Sequence, residues 1–127
     1  MNETTLQMIL KQQEVFQKKF GYDKNMSTEE KMDLVHTHAA FVVEETYEML
    51  RELPFHKPWA SYSDLTHEQI DEKIAKAKGE WIDVFIFLSN IAVFLEMDEA
   101  EIRQLYLEKN KLNIKRQEDP SLGYVKE

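Results

Sequence analysis

The stretch from Glu80 to Leu95, EWIDVFIFLSNIAVFL, constrains this chain more than any other, because it is apolar on almost every side of a helix yet opens with two acids. Trp81, Ile82, Val84, Phe85, Ile86, Phe87, Leu88, Ile91, Val93 and Phe94 distribute around the axis, so a single apolar stripe does not describe it. Such a helix needs cover from several directions, and a chain of 127 residues has difficulty supplying it alone. The expectation is an all-α four-helix bundle that forms an obligate dimer, with this helix at the subunit interface. The segment is too short to span a bilayer, and it carries Asp83 and Asn90.

Punctuation divides the chain into four helices within a single domain, residues 1–127. The first runs from about Thr4 to Phe20, with Leu6, Ile9, Leu10, Val15 and Phe16 as its apolar stripe, and stops near Gly21. Ser27 followed by Glu30 has the form of a capping box and opens a second helix to about Leu53, ended by Pro54. Thr66 with Gln69 opens the third, through Glu96, and Asp98 with Glu101 opens the fourth, to about Arg116. Only three Gly and three Pro interrupt the chain, which favours long helices. A net charge of −8 argues against a duplex nucleic-acid partner. The absence of Cys excludes disulfides, thiolate metal sites and cysteine nucleophiles, and suits a reducing cytoplasm. The start, MNETTLQMILK, lacks the build of a signal peptide.

Glu45 with Glu48, and Glu80 with Asp83, stand at i,i+3 spacing, so each pair aims two carboxylates one way from its helix. If all four converged at about 4 Å, each like-charge contact would cost about 4 kcal/mol at an effective dielectric near 20. A hard divalent cation answers that cost, Mg²⁺ first and Mn²⁺ second. On the fourth helix Lys109, Asn113 and Arg116 recur at i, i+4 and i+7 and share a face suited to phosphate oxygens and a polar ring. Taken alone, that face is more often a solvated helix end; together with the four acids it suggests a metal-bridged polyphosphate.

The series VVEETYEML, FHKPW, GEWIDVFIFL, YLEKNKLNIKRQ and GY resembles the all-α nucleoside triphosphate pyrophosphohydrolases, most of all the dimeric dUTPases, with the MazG-like enzymes as close relatives. The resemblance covers most of the chain from Val42 to Tyr124. It implies Mg²⁺-dependent hydrolysis of dUTP, or a related dNTP, to the monophosphate and pyrophosphate by water attack on the α-phosphorus, in a cytoplasmic homodimer or a tetramer. Glu45, Glu48, Glu80 and Asp83 would be the Mg²⁺ ligands, with more than one ion per site. Lys109, Arg116 and Tyr124 would contact phosphate, while Gln12, Asn113 and Trp59 would read or stack on the base and sugar. Glu44, turned about 100° from Glu45 by helix geometry, or Glu45 itself, would activate the water.

Two other functions stand beside this one. The first is a MazG-like housecleaning hydrolase of broader specificity, including dCTP or modified nucleotides. The second is a non-catalytic helical dimer whose acids are a structural cation site. His36 and His38, two apart, face different sides of their helix, and no His lies three residues after a Glu, so the Glu-x-x-His signature of di-iron bundles is absent.

Overall fold

The computed structural model describes residues 2–54, 64–119 and 121. Among them every regular element is helical: α1 (Thr5–Lys19), α2 (Thr28–Glu52), α3 (His67–Phe94) and α4 (Glu99–Glu118). The anticipated caps are in place. Ser27 accepts from the Glu30 N–H while the Glu30 side chain returns to the Ser27 backbone, and Thr66 with Gln69 does the same. Thr4 with Gln7 forms a third such box, and Asp98 caps α4 by accepting from the Glu101 N–H. Among the described residues no helix is long and apolar enough to cross a membrane.

Two helix ends close with a left-handed residue. After α1, Gly21 sits at φ 99°, with its N–H bonded to the Lys18 carbonyl and the Tyr22 N–H to Gln17. After α3 the same pattern places Glu96 at φ 57°, with Glu96 N–H on Val93 and Met97 N–H on Ala92. The third helix therefore ends at Phe94 rather than continuing through Glu96, because its last carbonyls are satisfied by the turn that leads into α4. Glu96 pays a steric penalty at that φ, and its carboxylate is held by Lys31 Nζ at 3.2 Å.

The dominant packing is α2 against α3, antiparallel; α1 lies on α3, and α4 meets α1 alone. The core collects at one end, where Leu10 and Tyr22 close on Ala92, Val93 and Phe94, with Leu34, Val35 and Ile102 alongside. Phe94 is 1% exposed, and Tyr22 packs its ring on Phe94 and donates its hydroxyl to the Val93 carbonyl at 3.4 Å. Next along the seam, His38 and Asn90 are buried, with His38 Nδ1 and Asn90 Nδ2 3.4 Å apart, and His38 meets Phe41, Phe87 and Phe94 edge-on. Burial without a charge partner lowers the His38 pKa. His36 is exposed, so the two histidines do face different sides.

Around α3 the expected burial is incomplete within one chain: Trp81, Ile82 and Leu88 are about half exposed. None of the residues of α4 is buried, and Leu105, Tyr106, Leu107, Leu112 and Ile114 stand in solvent.

Phe94→Ala is expected to cost about 3–5 kcal/mol, whereas Gly21→Ala, strained at φ 99°, should cost about 1 kcal/mol; urea unfolding measures both. Because His38 must be neutral when folded, its contribution is intact above its unfolded pKa near 6.5 and is lost as pH falls below it. His38→Phe, which cannot take up a proton, should flatten the pH 5–7 limb of the stability curve.

Candidate metal centre

The α2–α3 seam runs in one register. His38 is level with Asn90 and Phe41 with Phe87, whose rings lie 5.1 Å apart. Continuing by the same steps of three and four, up one helix and down the other, places Glu45 opposite Asp83 and Glu48 opposite Glu80. Four acids therefore follow from the same interdigitation that packs the aromatics.

Three of them converge. One carboxylate oxygen from each of Glu45, Glu48 and Glu80 lies within 4.8 Å of the other two. Glu45 and Glu80 are partly buried, whereas Glu48 is exposed. Asp83, expected as the fourth member, is exposed and outside that group of oxygens. Its side chain is one methylene shorter than glutamate and falls short of the meeting point, although its charge still acts on Glu45. Glu44 is exposed on the adjoining face of α2, one residue from Glu45 and outside the convergent set.

Electrostatics at this point are unfavourable. Glu45 is pushed up to about 7 from its ordinary 4.5, first by burial, then by a hydrogen bond with Glu80, then by the charges of Glu48, Asp83 and Glu80. Glu80 Oε2 is buried with no hydrogen-bond partner. Among the described residues the ion pairs join Lys11 to Glu3, Lys18 to Glu14 and Lys31 to Glu96, and none reaches these acids. Oxygen donors from two facing helices, crowded, partly buried and lacking a cation partner among the described residues, fit a hard divalent ion. Glu45, Glu48 and Glu80 would hold it, with Asp83 adding negative charge nearby.

The other anticipated residues are not gathered here. Gln12 is exposed on α1, beside Val15 and Phe16. Lys109 and Asn113 are exposed on α4 and Arg116 is half-buried there, on a helix that runs along α1 and meets the core through Ile102 near its start. The stripe therefore shares one helix face, as its spacing predicts, but stands away from the acids of its own chain. Trp59 and Tyr124 lie outside the described residues, as does the rest of the FHKPW segment. A cavity of about 790 Å³ lies at the other end of the bundle between Glu3, Leu10, Tyr22, Val93 and Asp98, and none of the acids of the cluster lines it.

The buried His38–Asn90 pair was not anticipated as part of this seam. Its signal was present: His38 stands seven residues before Glu45 and Asn90 seven after Asp83, two helical turns in each case, so the pair lines up with the acids. Set against protein-family models, curated proteins and solved structures, the chain matches none.

The folded, metal-free chain holds a proton on Glu45 that the unfolded chain has released, so the site's stability contribution is lost as pH rises from about 4.5 through about 7. A metal bound by this carboxylate would have to displace that proton. Calorimetry with Mn²⁺ in buffers of different ionisation enthalpy should register release of about one proton at pH 6 and almost none at pH 8. At pH 8 without metal, Glu48→Gln should stabilise the protein by about 1 kcal/mol, the size of one water-screened like-charge contact, and 10 mM Mg²⁺ should reverse the order of the two proteins.

Proposed function

We propose that this chain is a divalent-metal-dependent nucleoside triphosphate pyrophosphohydrolase. Its leading substrate is dUTP, and it works as a homodimer of the all-α kind to which the dimeric dUTPases and MazG-like enzymes belong. The observation that carries the reading is the meeting of Glu45, Glu48 and Glu80 from two helices within 4.8 Å, with Glu80 Oε2 buried and unpartnered. Crowding of this kind has no stabilising purpose in a helix seam that could hold apolar residues at the same level.

The bound cation, Mg²⁺ or Mn²⁺, would lower the pKa of water and neutralise charge on the triphosphate and the departing pyrophosphate. The chain's own groups would divide the work as follows. Glu45, Glu48 and Glu80 supply the ligand oxygens, and with Asp83 they exceed what one ion needs, which suits two. Glu44, exposed on the next face of α2, would orient the attacking water and accept its proton, and the water would supply the oxygen that joins the α-phosphorus. No covalent intermediate is needed, and no cysteine is present to form one. Lys109 and Arg116 offer donors for phosphate oxygens.

A MazG-like enzyme of broader specificity is the second reading. It is favoured by the placement of Gln12 and Asn113, the candidates for reading the base, on α1 and α4 rather than on the acid-bearing helices.

Purified protein given a panel of dNTPs with Mg²⁺ should release pyrophosphate, and chelation should abolish release. Selectivity for dUTP supports the first reading and comparable turnover of several nucleotides the second. Glu48→Ala is expected to reduce turnover by at least 10³-fold without unfolding the chain; turnover that survives it would remove the metal-centre mechanism.

A further inference from the structure

One polar side chain deep in the α2–α3 seam is only half used. Asn90 is 2% exposed. Its Nδ2 lies 3.4 Å from His38 Nδ1, and its Oδ1 is buried with no hydrogen-bond partner among the described residues. Turning the amide over would exchange the two atoms and still leave one of them unspent. Closing the seam does not call for this pair, since the levels on either side are filled by apolar rings, Phe41 with Phe87 and then Phe94. An orphaned buried acceptor opposes folding, so its place in the seam asks for a function.

Position along the seam indicates which function. Glu45, Glu48 and Glu80 converge at one level, the rings of Phe41 and Phe87 follow at the next, 5.1 Å apart, and His38 with Asn90 forms the third. From Glu45 back to His38 is seven residues, about 10.5 Å of helix, which matches the reach of a nucleotide from its α-phosphate to the far edge of its base. A metal-binding end, an apolar middle and a paired acceptor and donor thus follow one another as phosphate, ring face and polar edge do in a nucleotide. Phe41, 36% exposed, is the outer wall that a ring would push aside to reach Asn90.

We propose that Asn90 reads the base, and that the base is a 2,4-dioxopyrimidine, of which uracil is the smallest. Its N3–H donates to Oδ1, a flanking ring carbonyl accepts from Nδ2, and the ring lies against Phe41 and Phe87. The proposal rests on the pyrophosphohydrolase reading and deepens it, because it puts base recognition on the same two helices as the acids. Uracil presents acceptor, donor and acceptor in a row, so it meets the amide whichever way the amide is turned. Cytosine, with its donor at one end of that row, meets only one of the two. His38 is a positioning residue that holds the plane of the amide through Nδ1.

A substrate altered at one atom tests this without altering the protein. The unmodified chain should hydrolyse N3-methyl-dUTP with kcat/KM lower than for dUTP by roughly 10²-fold or more, because the methyl removes the donor and leaves Oδ1 unpaired. In Asn90→Leu, similar in volume, that penalty should vanish and dUTP and dCTP should turn over comparably, with Mn²⁺ affinity and helicity retained. His38→Leu should erode the preference for dUTP, and His38→Gln, whose carbonyl still accepts from Nδ2, should restore it. Equal turnover of dUTP and its N3-methyl form by the unmodified chain overturns the proposal and leaves the pyrophosphohydrolase reading standing. A methyl penalty or a dUTP preference that survives Asn90→Leu does the same. A His38→Gln chain no more selective than His38→Leu overturns the positioning role. Hydrolysis of no nucleotide at all overturns both the function and the base reader that depends on it.

Discussion

The antiparallel seam between α2 and α3 sets the position of everything chemical in this molecule. Because both helices present residues at steps of three and four, the register that sets Phe41 against Phe87 also brings Glu48 to Glu80 and Glu45 toward Asp83. Packing and chemistry are thus one geometric choice. Sliding the helices by a turn to relieve the carboxylates would break the contact of His38 with Asn90 and the enclosure of Phe94.

Free energy along that seam runs downhill toward one end. Phe94, Tyr22 and Leu10 are buried in apolar company, whereas two turns beyond the His38–Asn90 level the same groove holds like charges that raise the Glu45 carboxyl to about 7. The two titrating levels respond to pH in opposite senses. Protonation of His38 opposes folding and protonation of Glu45 favours it, so the metal-free chain is pressed from both sides near neutrality. A divalent cation bound at the acids would remove one of these pressures and couple ion binding to the stability of the helix pair.

Helix α4 is the part of the fold that one chain does not explain. Its cap at Asp98 and its basic C-terminal turn are well formed for a helix, but beyond Ile102, which packs on the core, Leu105, Leu107, Leu112 and Ile114 stay exposed. The exposed flank of α3 presents the matching deficiency.

Much of this was legible in the residues themselves. Ser27–Glu30 and Thr66–Gln69 announce helix starts because capping is local, Gly21 announces a stop because a left-handed residue is cheapest there, and ExxE with ExxD announces two carboxylate pairs because side chains three apart share a face. What spacing leaves open is the distance between helices. That Glu45, Glu48 and Glu80 meet while Asp83 falls short depends on axial register and on one methylene of side-chain length. That Lys109, Asn113 and Arg116 stand away from the acids depends on the direction in which the turn at Leu95–Met97 launches α4. Local chemistry is written in the order of residues, but the convergence of groups far apart in the chain is decided by how rigid helices pack, and only the tertiary structure contains that.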